Sequence, residues 1–113
     1  MTRSWPTISI GIPTFNESSN IRRSLESIFR QKYPGKLEVF VIDDDSTDDT
    51  VAIAKKYPVV VLRNGNHDLG IGKKIGLDHA SGKYFMFMDA DIDLCGFNWF
   101  TKLIKPLEVD SSL

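Results

Sequence analysis

The sequence predicts an α/β fold in which a mostly parallel β-sheet is flanked by helices. Short runs of β-branched and aromatic residues alternate with segments whose apolar residues recur at helical spacing. Two of the short runs lead directly into clusters of aspartate, as is typical of buried parallel strands that carry polar groups at their carboxyl ends. The 113 residues contain no internal repeat, low-complexity tract or linker, so we expect one domain over residues 1–113.

The first strand is predicted over residues 7–12, which are rich in β-branched side chains and are followed by Pro13. A helix is predicted over residues 21–31, where apolar side chains recur on one face and arginines occupy the other. Pro34 and Gly35 end this helix. Strand and helix in this order begin the alternation that predicts right-handed crossovers between parallel strands.

The second strand, over residues 37–42, is a nearly continuous apolar run. Ser46 or Thr47 is expected to cap a second helix that runs to about Lys56, with Pro58 after it. The sequence therefore predicts a second strand–helix unit directly after the first.

The second half of the chain repeats the alternation. Residues 59–62 form the predicted third strand and residues 63–68 a polar loop. A helix over residues 73–80 leads to a fourth strand over residues 84–88, and apolar residues return at helical spacing over residues 97–107.

Composition excludes several classes of protein. The net charge of −1 argues against a nucleic-acid binder, which normally carries a basic excess. No apolar run approaches the roughly 20 residues that span a bilayer, and the first residues lack the apolar stretch of a signal peptide. Cys95 is the only cysteine, so no intrachain disulfide forms and a reducing cytoplasm is the expected location.

Aspartates follow the second and fourth predicted strands. Residues 43–45 are three consecutive aspartates, and Asp89, Asp91 and Asp93 alternate after the fourth strand. If the sheet is parallel, both groups lie at the same edge, where close carboxylates repel one another unless a cation or hydrogen-bond donors offset their charge. Such an oxygen-rich site suits Mg²⁺ or Mn²⁺, which combine one or two carboxylates with substrate phosphates.

These aspartates also have a structural interpretation. Asp45, Asp48 and Asp49 suit capping and turn chemistry as well as they suit a binding site. For Asp89 and Asp91 the alternative is an ordinary solvated turn. We favour the metal site for this last pair.

The glycines before the third helix do not indicate a dinucleotide site. Gly70, Gly72 and Gly76 resemble such a fingerprint, but the fingerprint belongs after the first strand. Close packing and a tight turn are the expected roles. Lys73 and Lys74 are expected on a solvated helix face, with phosphate contact as the alternative.

Five further residues with reactive or aromatic side chains are given no role in binding. His67 and His79 have no cysteine partner at zinc-ligand spacing, and Cys95 has no evident activating partner. Trp99 and Phe100 are expected in the core or in a buried interface.

Taken together, four segments resemble the nucleotide-binding half of family 2 glycosyltransferases, which have the Rossmann-like GT-A fold. They are residues 12–17 (IPTFNE), 41–48 (VIDDDSTD), 76–84 (GLDHASGKY) and 88–91 (MDAD). Their order and spacing match the family over about residues 8–104. Residues 69–92 are most similar to the dolichol- and polyprenol-phosphate sugar synthases of that family.

This resemblance implies which residues bind the nucleotide of a nucleotide-sugar donor. Pro13, Phe15 and Glu17 would line the nucleoside pocket. Asp44 would hydrogen-bond the base, with Asp43 beside it.

The resemblance also implies that Asp89 and Asp91 are the DxD pair that holds Mg²⁺ or Mn²⁺ on the donor diphosphate. Asp93 is a further candidate ligand, since it stands where the polyprenol-phosphate enzymes usually have glutamine. Residues 73–76 depart from the arginine-containing pattern common in this helix, which weakens a phosphate role there.

The acceptor side of the family lies beyond the metal motif, and so does the catalytic base of those inverting members that use one. We therefore expect residues 1–113 to be a donor-binding half that is truncated before the acceptor-binding part. We expect this half to be inactive by itself and to lack the catalytic base. The implied acceptor is polyprenyl phosphate, which would bring the full-length protein to the cytoplasmic face of a membrane.

Two other functions stay open from the sequence. One is a non-catalytic fragment that binds nucleotide or forms a homo-oligomer through an exposed apolar surface, for which Trp99 and Phe100 are candidates. The other is aspartate-dependent phosphoryl transfer. That chemistry requires its nucleophile on an early strand, whereas the Asp89–Asp91 pair follows the last one.

Overall fold

The structure is a computed structural model that describes residues 4–108. Four strands alternate with four helices through these residues. The elements are, in chain order, β1 (Ile8–Thr14), α1 (Ile21–Phe29), β2 (Leu37–Asp43), α2 (Thr50–Ala54), β3 (Val60–Arg63), α3 (Leu69–His79), β4 (Tyr84–Phe87) and α4 (Trp99–Leu107).

The four strands form one parallel sheet in the order β3-β2-β1-β4. β1 pairs with β2 along its whole length, from Ile8 opposite Leu37 to Thr14 opposite Asp43. β4 pairs with the other side of β1, and β3 pairs with β2. This arrangement confirms the predicted α/β fold with a parallel sheet, and it brings all four carboxyl ends to one edge.

One face of the sheet carries the main core. Ile8, Ile10 and Ile12 of β1 are buried on this face because alternate side chains of a strand point the same way. They pack with apolar residues of α1, α2 and α4. The fully buried α1 and α4 members of this cluster are Ile21, Leu25, Ile28, Phe100 and Ile104.

The opposite face is covered by α3, which approaches closely because glycines face the sheet. A Cβ at Gly76 would lie 2.8 Å from Cδ1 of Ile42, and one at Gly72 would lie 2.9 Å from Nδ2 of Asn64. On this face Gly11 of β1 leaves room for the rings of Phe85 and Phe87, whose centroids are 4.6 Å apart. Close packing is therefore the role of the α3 glycines, as expected.

Two helices begin elsewhere than the sequence predicts. α3 begins at Leu69, because the Asp68 carboxylate caps it by accepting a hydrogen bond from the Ile71 N–H at 3.1 Å. α2 begins only at Thr50. The expected cap Ser46 instead donates its hydroxyl to Asp43.

The expectation that Trp99 and Phe100 lie in the core is correct, and the alternative that they form an exposed apolar surface is wrong. Phe100 is fully buried in the core, and Trp99 is partly buried against the same cluster. The large apolar side chains that are exposed near α4 are instead Phe97, Leu103 and Leu107. Within residues 4–108 no helix has the length and apolarity needed to cross a membrane.

Candidate functional site

A cleft of about 400 Å³ opens at the carboxyl edge of the sheet. Its volume lies in the range of small-molecule sites. The ends of all four strands and the start of α3 contribute to its walls. The lining residues are Pro13, Thr14, Phe15, Ile42, Asp44, Asn64, His67, Leu69, Gly72, Lys73, Phe87 and Asp89.

The acidic groups after β2 and β4 meet in this cleft through one residue each. Asp44 follows β2 and Asp89 follows β4, and both line the cleft. The expectation that the two groups share one edge is therefore correct. Because both residues carry negative charge, the cleft suits a ligand that brings hydrogen-bond donors or a cation.

Asp44 is held by His67 from the turn after β3. The His67 backbone N–H donates to Oδ1 of Asp44 at 3.0 Å, and the ring Nδ1 lies 3.0 Å from Oδ2. A carboxylate only accepts hydrogen bonds, so Nδ1 is the protonated nitrogen in this contact. The side chain of Asp44 remains 20% exposed, so it still faces the cleft.

Phe15 forms an aromatic wall directly after β1. This residue is 52% exposed. Its ring meets that of His67 nearly edge-on, with centroids 6.3 Å apart. An exposed ring beside a carboxylate is a suitable surface for a planar ligand that carries N–H groups.

Asp43 does not line the cleft. It is buried beneath the strand ends, where Thr14 Oγ1 donates to Oδ1 at 2.7 Å. The Ser46 N–H and hydroxyl donate to its two oxygens at 2.8 and 2.6 Å. With these donors Asp43 connects the end of β1 to the loop after β2, which is a supporting position.

Glu17 likewise lies outside the cleft lining. Its N–H donates to Thr50 Oγ1 at 2.8 Å, and its carboxylate accepts from Asn20 at 3.2 Å. The neighbouring Asn16 has a positive φ of 51° and accepts from the Thr47 N–H at 2.8 Å. These bonds fasten the loop after β1 to the loop after β2, and they hold Phe15 at the edge of the cleft.

The other aspartates after β2 have structural roles. Asp45 pairs with Arg63 at the end of β3, with Nε to Oδ1 at 2.7 Å, and hydrogen bonding by that guanidinium lowers the pKa of Asp45. Asp48 accepts from the Thr50 hydroxyl and N–H and from the Ser18 N–H. The turn and capping interpretation is therefore correct for these two residues.

Asp89 and Asp91 have the properties of ligands for a hard cation. Both are exposed, and neither carboxylate has a hydrogen-bond or ion-pair partner among the residues that the structure describes. In the same described part of the chain no three His, Cys, Asp or Glu side chains converge as a complete metal cage. A pair of free carboxylates fits Mg²⁺ or Mn²⁺, because these ions complete their coordination with water and phosphate oxygens.

Asp93 faces α1 rather than a metal site. Arg30 Nη2 lies 3.3 Å from Oδ1 of Asp93, and Arg23 Nε lies 3.9 Å from Oδ2. Arg30 also donates to the carbonyl of Leu94 at 2.8 Å. The two arginines offset the charge that Asp93 would add next to Asp91.

Two polar cleft residues, Asn64 and His67, were given no ligand-binding role from the sequence, and Lys73 was given one only as an alternative. Asn64 and His67 follow β3, whose carboxyl end lies at the same edge as those of β2 and β4. That shared edge was the available signal. Lys73 is exposed, as expected, and it also lines the cleft, with Nζ 5.3 Å from the centroid of Phe87.

The parallel sheet with a cleft at its carboxyl edge is the arrangement of open α/β domains, which bind their ligands at this edge. The model of the family described as Glycosyl transferase family 2 matches residues 9–112. The chain therefore belongs to glycosyltransferase family 2, which confirms the resemblance seen in the sequence.

Three similar proteins illustrate the match. The uncharacterized glycosyltransferase YibD of Escherichia coli K12 is 33% identical over 97% of this chain and 33% of its own length. A dolichol-phosphate mannosyltransferase of Pyrococcus furiosus is 35% identical over 75% of this chain and 26% of its own. The mannosyltransferase PcManGT of Pyrobaculum calidifontis, solved with GDP-Man and Mn²⁺, superposes with a TM-score of 0.81 at 28% identity, over 88% of this chain and 32% of its own.

The chain thus spans about a quarter to a third of the length of these three proteins. The likeness to PcManGT confirms the GT-A fold. It also favours sugar transfer over the phosphoryl-transfer alternative.

Proposed function

We propose that this chain binds a nucleotide-sugar donor together with a divalent cation, and that the protein transfers the sugar to an acceptor. The observation that carries the proposal is the shared cleft, because Asp44 and Asp89 come from different strands yet line one cavity with Phe15 and Lys73. An aromatic ring, a lysine and two carboxylates together suit a nucleoside diphosphate and its cation.

The base end of the site is assigned to Phe15, Pro13 and Asp44. The exposed ring of Phe15 provides a stacking surface, and Asp44 accepts a hydrogen bond from the base. Asp43 and Glu17, which the family resemblance also implicates, support this end indirectly. They hold the two loops that carry Asp44 and Phe15.

The diphosphate end is assigned to Asp89, Asp91 and Lys73. Asp89 and Asp91 would hold Mg²⁺ or Mn²⁺, and Mn²⁺ accompanies the nucleotide sugar in PcManGT. When bound, such an ion offsets the negative charge that develops on a departing diphosphate. Lys73 lines the same cleft and would contribute a second positive charge to the phosphates.

The test is calorimetric titration of UDP and GDP, each with and without Mn²⁺. We expect binding by at least one nucleotide, and we expect Mn²⁺ to strengthen it. Asp89→Asn and Asp91→Asn should each weaken that binding by about tenfold or more, because a charge-assisted contact is worth about 1.5–3 kcal/mol. The same series with Mg²⁺ ranks the two cations.

Two aspartate variants serve as controls. Asp78→Asn removes a carboxylate that pairs with Lys74 on α3, outside the cleft lining, and should leave nucleotide binding unchanged. Asp93→Asn should change the Mn²⁺ dependence by less than about twofold, because Asp93 is engaged by arginines. Absence of binding at millimolar nucleotide with either cation would disprove the proposal.

The proposed acceptor is polyprenyl phosphate. Its support is the sequence similarity to the P. furiosus dolichol-phosphate mannosyltransferase. The test is transfer of radiolabelled sugar by the full-length protein to polyprenyl phosphate in detergent, beside water-soluble sugar acceptors. Labelling of the soluble acceptors alone would rule out the lipid.

A further inference from the structure

His67 occupies a position that the fold does not require for packing. It lies in the turn between β3 and α3, its side chain is 68% exposed, and its backbone has a positive φ of 53°. Histidine, like asparagine and aspartate, adopts this conformation more often than most residues other than glycine. In this turn the conformation accompanies a side chain that faces the cleft.

The contacts of His67 converge on Asp44. One residue supplies both donors, the backbone N–H to Oδ1 and the ring Nδ1–H to Oδ2, each at 3.0 Å. Two bonds to two different oxygens fix the carboxylate against rotation. The lone pairs that remain on Asp44 are presented to the cleft, where the side chain is 20% exposed.

The ring of His67 also extends the aromatic wall made by Phe15. The two planes are 88° apart with centroids at 6.3 Å, so the rings meet in an edge-to-face arrangement. A planar ligand on Phe15 would lie within reach of both the imidazole and the carboxylate that it holds.

We propose that His67 is a positioning residue for nucleobase selection, which acts by holding Asp44 in the orientation that accepts a ring N–H of the base. The inference rests on the proposed function, because it assumes that the cleft binds a nucleotide. It assigns to His67 a role that the sequence did not suggest.

The chemistry restricts the bases that fit. A carboxylate only accepts, so it favours a base whose ring nitrogen carries hydrogen. Uracil and guanine present such an N–H. Cytosine and adenine present a bare ring nitrogen beside their amino group, and its lone pair would face the carboxylate. Selection should therefore appear within two matched pairs, UDP over CDP and GDP over ADP.

The experiment measures binding of these four nucleotides and of pyrophosphate, all with Mn²⁺, by calorimetry. His67→Gly removes the ring while keeping a residue that tolerates positive φ. His67→Asn also tolerates this conformation and restores a side-chain N–H donor. His79→Asn is the matched control, since this histidine bonds the Ile75 carbonyl on α3 and does not line the cleft.

We expect His67→Gly to weaken binding of the preferred nucleotide by about tenfold, the size of one hydrogen bond to a charged group. The preference of this variant for UDP over CDP, or for GDP over ADP, should shrink by a similar factor. Pyrophosphate has no base, so this variant should bind it as tightly as wild type does. His67→Asn should recover most of the preference, and His79→Asn should match wild type.

The proposal has two distinct ways to fail. If His67→Gly weakens pyrophosphate and nucleotide equally, or leaves the base preference intact, His67 does not position Asp44 for selection, and the nucleotide site itself stands. If wild type binds neither pyrophosphate nor any nucleotide with Mn²⁺, the proposed function fails and the His67 inference fails with it.

Discussion

Neighbouring aspartates at the end of β2 have opposite environments. Asp43 is buried and accepts three hydrogen bonds, whereas Asp44 lines the cleft. Successive side chains of an extended chain point to opposite sides, so two adjacent carboxylates cannot share one role there. The strand geometry therefore gives Asp43 a supporting position and leaves Asp44 facing the cleft.

At the same scale, Asp48 should contribute to the acid stability of the fold. Hydrogen bonds, chiefly from the Thr50 hydroxyl, lower the pKa of Asp48 from 3.8 to about 2. A carboxylate whose pKa is lower in the folded state stabilises the fold above its ordinary pKa, and this contribution is lost as the pH falls toward the folded value. The free energy of unfolding of wild type should thus decline between about pH 4 and pH 2.

Asp48→Asn should make that decline shallower, which urea unfolding at several pH values measures. The neighbouring Asp49→Asn is a suitable control, because the Asp49 carboxylate accepts no hydrogen bond among residues 4–108. Equal slopes for wild type and Asp48→Asn would show that the Thr50 and Ser18 contacts do not persist in solution.

At the scale of elements, the pattern of short apolar runs was sufficient to predict every strand and helix. The starts of α2 and α3 were wrong because local side-chain hydrogen bonds, between residues three apart, decide which residues are free to cap each helix. Ser46 is taken by Asp43, and the choice of Asp68 as a cap lengthens α3 over a glycine-rich turn.

The junction before β4 depends on Gly82. A Cβ there would lie 2.7 Å from Ser9 Oγ and 2.8 Å from both Ser9 N and the Thr7 carbonyl oxygen. Backbone atoms cannot move aside without shifting β1, so Gly82→Ala should lower the free energy of unfolding by about 1–3 kcal/mol. Urea titration monitored by circular dichroism gives this value.

Gly70→Ala provides the comparison for that substitution. Its added Cβ would meet only Oδ1 of Asp68, at 3.2 Å, and the helix start gains a better helix former. We expect its stability to stay within about 1 kcal/mol of wild type. Equal stability of the two alanine variants would contradict the close approach of Gly82 to β1.

At the scale of the whole molecule, the strand order β3-β2-β1-β4 explains why the site could be anticipated only in part. Parallel strands imply one shared edge, which was enough to predict that the Asp44 and Asp89 clusters meet. Local sequence patterns do not determine which strands are neighbours in the sheet. The approach of His67 to Asp44 was therefore not predicted. The role of Asp93 was likewise open from the sequence, because its pairing with Arg23 and Arg30 depends on the packing of α1.

The same topology predicts how ligands affect global stability. A metal–nucleotide complex that joins Asp44 after β2 to Asp89 and Asp91 after β4 binds the folded chain and not the unfolded one. At a ligand concentration of 100 times the Kd, such binding adds about 2.7 kcal/mol to the free energy of unfolding. For a domain of about 100 residues this corresponds to a rise in Tm of roughly 10 °C or more.

Scanning calorimetry with UDP or GDP should show this rise when Mn²⁺ is present, and EDTA should abolish most of it. Mn²⁺ alone should give a small rise, because two exposed carboxylates without phosphate oxygens form an incomplete coordination shell. In Asp91→Asn the rise with metal and nucleotide should approach the value seen with EDTA. A rise of equal size with and without EDTA would show that the nucleotide binds without the cation, and Asp89 and Asp91 would then lose their assigned role while Asp44 kept its own.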